Sequence, residues 1–196
     1  MKTYKDFHVG ILTLQGDFEK HQRQVRSLGA VPEAVRLPGD LIGLDALIIP
    51  GGESSTMSVL IDRFALRAPL LEFARTHPVY GTCAGMILLA RKIEDNISGV
   101  EPLALIDIDV RRNGYGRQVF SFETDIEVTL ENGTKTVRGF FIRAPKITRV
   151  GEGVGVLAEY QARPVLVRQN NILASSFHSE LNDDLTVLKY FVDILL

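Results

Sequence analysis

Short apolar runs alternate with helix-like segments through the first half of the chain, and this alternation constrains the fold more than any other feature. The run at 46–49 is apolar at every position, as in a strand that is buried on both faces. Candidate strands lie at 9–14, 34–37, 46–49 and 79–80, and candidate helices lie at 17–28, 54–64, 68–75 and directly after residue 83. Because parallel strands need crossover connections, the pattern predicts a parallel sheet covered by helices on both faces.

The second half of the chain is dominated by strands and turns. Candidate strands lie at 106–110, 125–130, 137–142, 155–160, 165–168 and 172–177, and a last helix lies at 184–196. Asn132-Gly133 and Asn170-Asn171 are turn sequences between strands, which favours antiparallel additions to the sheet. The sequence shows no linker, repeat or low-complexity segment. We therefore predict one α/β domain over residues 1–196, with three layers and a mostly parallel sheet.

Composition narrows the class of protein. The 196 residues are 45% hydrophobic and carry a formal net charge of −2, which fits a globular protein without a basic footprint for nucleic acid. No apolar run approaches the roughly 18 residues of a membrane span, and the N-terminal stretch lacks signal-peptide features, so a cytoplasmic location is expected. One cysteine excludes an internal disulfide, and no Cys/His spacing suggests a metal site. Neither a metal nor a cofactor is expected.

The single cysteine, Cys83, stands in Gly81-Thr82-Cys83-Ala84-Gly85 between an apolar strand and a helix-like run. This arrangement is typical of a nucleophile elbow, in which glycines allow a tight turn and the side chain stands clear of the sheet. The positive end of the helix dipole favours the thiolate form. The alternative is a small buried apolar cysteine. The flanking glycines favour the catalytic interpretation.

A thiolate needs a proton partner, and His178 is the best candidate. It follows a strand-like run, and Glu180 comes two residues later. Residues i and i+2 of an extended chain point to the same side, so Glu180 can orient an imidazole that faces the nucleophile. A solvated His-x-Glu pair is the alternative. The other histidines are His8 at the start of a strand, His21 on a polar helix-like segment, and His77 at the opposite end of the strand that leads to Cys83.

Three loops should meet at the carboxyl ends of the parallel strands, where open α/β sheets bind ligands. They carry Gln15, the Gly51-Gly52 pair and the cysteine elbow. Backbone N–H groups of Gly52 and Ala84 can form an oxyanion hole there. A phosphate cradle is the alternative for the glycine pair, but the Lys of a P-loop is missing. Ser54 is a candidate cap for the helix that follows.

Several segments of the chain together resemble the glutaminase subunits of pyridoxal 5′-phosphate synthases, which are triad (class I) glutamine amidotransferases with a flavodoxin-like fold. The cysteine elbow and His-x-Glu match the broader class, whereas three other segments narrow the resemblance to this subunit. The matching segments are Leu14-Gln15-Gly16-Asp17-Phe18, Ile48-Ile49-Pro50-Gly51-Gly52-Glu53-Ser54, Gly81-Thr82-Cys83-Ala84-Gly85, Arg112-Asn113-x-x-Gly116-Arg117-Gln118, Phe141-Ile142-Arg143-Ala144-Pro145 and Phe177-His178-x-Glu180-Leu181. The resemblance covers nearly the whole chain.

The resemblance implies hydrolysis of L-glutamine to glutamate and ammonia, with the ammonia passed to a separate synthase subunit. That partner is a β/α barrel that forms ring-shaped oligomers. Cys83 would be the nucleophile, His178 the proton carrier and Glu180 its orienting group, with Gly52 and Ala84 as oxyanion donors. The residues implied in glutamine binding are Gly51, Gly52, Glu53, Arg112, Ile142 and Arg143. Because the first and third strands should be neighbours, the loop that carries Gln15 should lie beside Gly51-Gly52, and we expect Gln15 to help gate catalysis when the partner docks.

One departure from the family pattern is visible. Ser179 stands where the family usually has proline between the catalytic histidine and glutamate, and we expect only a slight loosening of the dipeptide. Two other function classes fit part of the pattern. A different cysteine hydrolase or peptidase on a related fold would keep Cys83 and His178 but would not need Glu53 or the two arginines. A non-catalytic binding module would not need the complete Cys, His and Glu set.

Overall fold

The computed structural model describes residues 4–96, 99–112, 114 and 121–194. The strands in this part of the chain are β1 His8–Leu12, β2 Val31–Val35, β3 Ala46–Ile49, β4 Val79–Thr82, β5 Ala90–Ile93, β6 Ile106–Arg111, β7 Ser121–Leu130, β8 Gly133–Ile142, β9 Lys146–Val150, β10 Gly155–Tyr160, β11 Arg163–Gln169 and β12 Ile172–Ser175. The α-helices are α1 Phe18–Leu28, α2 Ser54–Arg63, α3 Arg67–Phe73, α4 Ala84–Leu89 and α5 Thr186–Asp193, and a short 3-10 helix spans Pro38–Leu41.

A mixed sheet in the order β2-β1-β3-β4-β12-β11-β10-β7-β8 organises the molecule. The first five strands in this order are parallel, and the remaining four are added antiparallel. The predicted α/β class, with a parallel sheet and antiparallel additions, is confirmed. Both predicted turns join antiparallel neighbours, since β7 pairs with β8 and β11 pairs with β12.

Two apolar cores lie on opposite faces of the parallel strands, which makes the three layers. Side chains alternate along β3, so Ile48 faces one core while Leu47 and Ile49 face the other. The core around Ile48 is covered by α1 and α5, which contribute Val25 and Phe191 among others. The opposite core is covered by α2, α3 and α4. Burial on both faces explains why these strands are apolar at nearly every position.

The antiparallel strands curl back towards the parallel ones. Near the end of β8, Phe140 forms an isolated antiparallel bridge with His178, just beyond β12. The His178 N–H donates to the Phe140 carbonyl at 2.8 Å. As a result, the end of β8 lies beside the carboxyl ends of β4 and β12.

A second, three-stranded sheet in the order β5-β6-β9 was not predicted as a separate unit. The predicted helix after residue 83 is α4, which ends at Leu89, and Ala90 already pairs with Ile106 of β6. The β9 strand, Lys146–Val150, carries too many polar residues to be found from its pattern. Within the described ranges, no helix is long and apolar enough to cross a membrane.

Candidate active site

A pocket of about 320 Å³ opens at the carboxyl ends of the parallel strands. Its walls come from the loops after β1, β3 and β4, from the segment after β12 and from the end of β8. It is lined by Gln15, Asp17, Gly51, Gly52, Glu53, Ser54, Cys83, Ile87, Arg112, Ile142, Arg143, His178 and Leu181. Nearly all of the residues singled out in the sequence therefore meet around one cavity. Ala84 and Glu180 lie behind this surface, and both are buried.

The turn between β4 and α4 is a strained elbow. Cys83 has φ 51° and ψ −102°, a positive φ that is uncommon for a residue other than glycine. Its backbone N–H is fixed by the Ser175 carbonyl of β12 at 2.9 Å. A side chain at Gly85 would collide with the carbonyl oxygen of Ile49, so only glycine lets α4 start this close to β3. The elbow directs the Cys83 side chain into the pocket, where its thiol lies 3.8 Å from the carbonyl oxygen of Ile142.

His178 stands between the thiol and a buried carboxylate. Its Nδ1 lies 2.6 Å from Oε1 of Glu180, and the Cys83 side chain interacts with the imidazole. Since Nδ1 is engaged by Glu180, Nε2 is the nitrogen left to face the thiol. The ring packs so closely over Gly51 that any side chain there would collide with it. The structure thus brings Cys83, His178 and Glu180 into a continuous chain of contacts.

The charges of these three side chains stabilise an ionised Glu180 and a protonated His178. Burial opposes ionisation of Glu180, but the neighbouring His21 and the hydrogen bond with His178 hold the pKa of Glu180 well below its usual range. Burial also opposes protonation of His178, yet its contacts with Cys83 and Glu180 raise its pKa to about 10. At neutral pH the imidazole therefore carries a proton where it contacts the Cys83 side chain.

Two backbone N–H groups near the pocket, those of Gly52 and Ala84, are the candidate oxyanion donors. Ala84 is the first residue of α4, and the N–H of such a residue has no partner within its own helix. The Gly51 carbonyl accepts a hydrogen bond from the Asp17 N–H at 3.3 Å. Because a trans peptide places C=O and N–H on opposite sides, the Gly52 N–H points away from the Asp17 loop. Both donors belong to residues next to the thiol pocket and can serve an oxyanion.

Gln15 reaches across from the loop after β1 to the glycine pair. Its side-chain oxygen accepts a hydrogen bond from the Glu53 N–H at 2.8 Å. That oxygen lies so close to Gly52 that a side chain at this glycine would collide with it. Gln15 and the glycine pair are therefore neighbours in the structure, as expected.

Glu53 caps α2, a position for which the sequence suggested Ser54. Its carboxylate accepts hydrogen bonds from the backbone N–H groups of Ser55 at 3.0 Å and Thr56 at 2.6 Å. Partial burial opposes ionisation, but the hydrogen bonds from Thr56 and Ser55 lower the pKa of Glu53 to about 2. Arg112 pairs with the same carboxylate at 3.3 Å. Glu53 is a fixed negative charge at the rim of the pocket.

The end of β8 completes the opposite wall. Ile142 is 40% exposed, and Arg143 is exposed and has a positive φ of 45°. Arg112 donates from Nη1 to the Ser55 hydroxyl at 3.3 Å, which places its guanidinium across the pocket mouth near α2. The other residues quoted from the Arg112 segment, Asn113, Gly116, Arg117 and Gln118, lie outside the described residues.

His21 also belongs to this neighbourhood, although its sequence pattern indicates a polar helix. It is only 1% exposed, and its Nε2 lies 3.5 Å from Oε1 of Glu180. The sequence did contain a sign that His21 is buried. His21 and Val25 are four positions apart, so they share one face of α1, and that face is buried. The charged neighbours at Glu19, Lys20 and Arg23 concealed that face.

The serine that replaces the family's proline also has partners. The Ser179 hydroxyl lies 3.3 Å from the Tyr80 hydroxyl, and Gln24 of α1 donates to the Ser179 carbonyl at 3.0 Å. These contacts fix the backbone at Ser179, between His178 and Glu180, without the fixed φ of proline. Among the described residues, no cluster of three or more His, Cys, Asp or Glu side chains could hold a metal ion.

Comparison with known proteins establishes the family. A model of the SNO glutamine amidotransferase family matches residues 11–196. The chain belongs to this family. A family relative from Desulforudis audaxviator, the pyridoxal 5′-phosphate synthase subunit PdxT, is 50% identical over 188 residues, covering 95% of this chain and 98% of the relative. PdxT of Kosmotoga olearia is also 50% identical, over 185 residues that cover 94% of this chain and 95% of the relative.

Solved structures agree with the family assignment. A crystal structure of a glutamine amidotransferase is 43% identical, with a TM-score of 0.89 over 95% of this chain and 97% of that chain. A chain in the PurLQS structure from Thermotoga maritima is only 14% identical and shares the fold, with a TM-score of 0.73 over 98% of this chain and 100% of that chain. The predicted class I glutamine amidotransferase-like fold is thereby confirmed.

Proposed function

We propose that this chain hydrolyses L-glutamine to L-glutamate and ammonia, and that the ammonia feeds the synthesis of pyridoxal 5′-phosphate. The observation that carries the proposal is the continuous contact from Cys83 through His178 to Glu180 at one wall of the pocket, in a member of a glutamine amidotransferase family. The whole chain, residues 1–196, acts in this proposal as one glutaminase domain.

The chemistry follows from the charges of the three side chains. The Cys83 thiolate attacks the side-chain amide carbon of glutamine, and the C=O π electrons move to oxygen to give a tetrahedral oxyanion. The proton on Nε2 of His178 passes to the amide nitrogen, so the C–N bond breaks and ammonia leaves. A γ-glutamyl thioester remains. His178 then takes a proton from water, which attacks the thioester and releases glutamate and the thiolate.

Glu180 orients His178 and balances the charge of the imidazolium in both half-reactions. The N–H groups of Gly52 and Ala84 hold the oxyanion, and such a donor is worth about 3 kcal/mol of transition-state stabilisation in other enzymes.

The remaining pocket residues suit the amino acid end of glutamine. A zwitterion needs a carboxylate near its ammonium group and cationic or backbone donors near its carboxylate. Glu53 supplies a fixed negative charge, and Arg112 and Arg143 supply positive ones. Gly51 and Ile142 shape the slot between these charged groups and Cys83. The Glu53–Arg112 pair opens when substrate enters, because glutamine offers each of them a partner of opposite charge.

Gln15 fits a gating role in this proposal. Its bond to the Glu53 N–H and the Asp17 bond to the Gly51 carbonyl together hold the Gly51-Gly52 peptide from one side. Glycine peptides reorient at little steric cost, so a partner that moves the loop after β1 also turns the oxyanion donor. Control of this kind prevents release of ammonia in the absence of an acceptor.

The relatives are named as subunits of pyridoxal 5′-phosphate synthase, so we assign the ammonia acceptor to a synthase subunit. In this proposal the partner is a β/α barrel in a ring-forming oligomer, and the complex is cytoplasmic. These features come from the family resemblance and from the composition of the chain.

The function is tested by measuring the release of glutamate and ammonia from glutamine, with and without the synthase subunit. The matched control is Cys83→Ala, which removes one sulfur atom and should abolish turnover while the melting temperature stays near that of the wild type. A glutamine-analogue electrophile should label the wild type at Cys83. Substantial hydrolysis by the alanine variant, or no hydrolysis by the wild-type complex, would refute the proposal.

A further inference from the structure

The buried face of α1 contacts the segment that carries His178 and Glu180. Gln24 donates from its side-chain amide to the carbonyl oxygens of Ser179 at 3.0 Å and Asn182 at 3.1 Å. One turn earlier, His21 lies against Glu180 itself, with 3.5 Å between Nε2 and Oε1. The two α1 side chains therefore act on the same segment, Gln24 on its backbone and His21 on its carboxylate.

Burial of an ionised carboxylate is energetically unfavourable, and Glu180 is such a group. Its side chain is fully buried, and in the described part of the chain Oε2 has no hydrogen-bond partner. A buried carboxylate needs positive charge or donors around it to remain ionised. Its hydrogen bond with His178 supplies one donor. A second imidazole, that of His21, lies with its Nε2 at 3.5 Å from the same carboxylate oxygen, Oε1.

The contacts of His21 fix the role of its Nε2. That nitrogen lies 3.2 Å from the Thr82 hydroxyl and 3.5 Å from the Glu180 carboxylate. An ionised carboxylate only accepts hydrogen bonds, so Nε2 must carry a proton to be attracted to Glu180. The Thr82 hydroxyl then accepts from the same N–H, and Thr82 directly precedes Cys83. One N–H thus lies between the elbow and the carboxylate.

Tyr80, a further neighbour in the described part of the chain, supplies no positive charge to Glu180. Tyr80 meets the His21 ring edge-on, with 6.5 Å between ring centroids. Burial, and then the nearby Glu180 charge, raises the pKa of Tyr80, so its phenol stays neutral. The Tyr80 hydroxyl is instead within hydrogen-bond reach of Ser175 at 3.0 Å and Ser179 at 3.3 Å.

We propose that His21 is a positioning residue for the glutaminase reaction, whose Nε2–H holds the Glu180 carboxylate in the rotamer that orients His178. The inference rests on the proposed function of Glu180. It assigns a further residue, outside the pocket, to the same site. Loss of this N–H leaves the Glu180 carboxylate with a single imidazole partner and frees it to rotate away from Nδ1 of His178.

The test compares three replacements of His21 in the complex of the full chain with its synthase subunit. Gln can place an amide N–H near the position of Nε2, whereas the shorter Asn cannot, although both are polar. Leu removes the donor altogether. We expect kcat for glutamine to fall about tenfold in His21→Leu and His21→Asn with KM within about twofold of wild type, and His21→Gln to keep most of the activity.

Two measurements separate positioning from a general loss of structure. Melting temperatures of the three variants report on folding, and the rate of Cys83 alkylation by iodoacetamide reports on the thiolate without glutamine turnover. The half-buried His8, which pairs with Glu33 away from the pocket, gives the control His8→Leu with unchanged kcat. If His21→Leu does not fold, the Gln and Asn variants decide the question.

Equal kcat values in the Gln and Asn variants, or wild-type kcat in His21→Leu, would overturn the proposal. Alkylation of Cys83 should slow in the Asn variant but not in the Gln variant. A failure of the proposed function would look different, because the wild-type complex itself would then release no ammonia from glutamine.

Discussion

The backbone of Cys83 is strained, and at the residue scale this strain explains how the thiol reaches the pocket. A residue other than glycine in such a conformation costs of order 1–3 kcal/mol, and the neighbouring elements must supply that energy. The Ser175 carbonyl fixes the Cys83 N–H, and Gly85 lets α4 close against β3. The thiol then lies between the Ile142 carbonyl and His178.

His178 and Glu180 should differ in how much activity their loss removes. We expect His178→Asn to be nearly as damaging as Cys83→Ala, because no other group can carry the proton. Glu180→Gln should retain partial activity, since an amide oxygen still accepts from Nδ1 of His178. Steady-state rates of ammonia release rank the variants. A His77→Asn variant should behave as wild type, because His77 stacks on Phe73 at the opposite end of β4.

The raised pKa of His178 also predicts a pH dependence of stability. The folded protein holds this proton up to about pH 10, whereas the unfolded chain releases it near 6.5. The contribution to the free energy of unfolding is therefore complete below about pH 6.5 and is lost as pH rises towards 10. Urea unfolding of wild type and His178→Asn should show a difference that shrinks over this interval. A constant difference would contradict the prediction.

At the element scale, the strand–helix connections place the functional groups of the pocket. The β3–α2 connection carries Gly51, Gly52 and the capping Glu53, and the β4–α4 connection carries Cys83. Strand ends are suited to this because the sheet fixes the backbone up to the last paired residue, and the helix start offers free N–H groups. Glu53 serves both structure and site, since the same carboxylate caps α2 and faces the pocket.

Removal of the α2 cap should be measurable as a loss of stability. Glu53→Ala leaves the N–H groups of Ser55 and Thr56 without their acceptor, so we expect the free energy of unfolding to fall by about 1 kcal/mol. The control is Glu72→Ala, which breaks an exposed ion pair with Arg75 and should change stability by less than about 0.5 kcal/mol. Chemical denaturation of both variants gives the comparison, and equal losses would argue against the capping role.

At the scale of the whole molecule, the antiparallel strands bring a distant segment to the elbow. The bridge between Phe140 and His178 returns the end of β8 to β12, so Ile142 and Arg143 close the pocket over Cys83. The loop after β1 closes it from the other side through Gln15. The site is therefore bounded by the loop after β1 and by the end of β8, two strands that lie far apart in the order of the sheet.

Gating by the partner should depend on Gln15. We expect low glutaminase activity for the isolated chain and a marked rise in kcat when the synthase subunit is added. Gln15→Ala should lose that rise, because the Glu53 N–H loses its acceptor and the glycine peptide is no longer held by the loop after β1. The rate of Cys83 alkylation by iodoacetamide in Gln15→Ala should stay near that of the wild type. A Gln15→Ala variant stimulated as strongly as wild type would rule out this role.

The sequence by itself determined the α/β class, the strand–turn–helix setting of Cys83 and the family, because these depend on local periodicity, on glycine spacing and on short segments whose order is read directly. It also indicated that His178 and Glu180 point to one side of an extended chain. Only the tertiary structure decided that Glu53 caps α2, that a separate sheet contains β5, and that His21 lies against Glu180. The second sheet and the His21 contact depend on residues far apart in the chain, and a charged helix surface conceals a single buried imidazole. The cap is a local contact, but which residue provides it depends on where α2 begins.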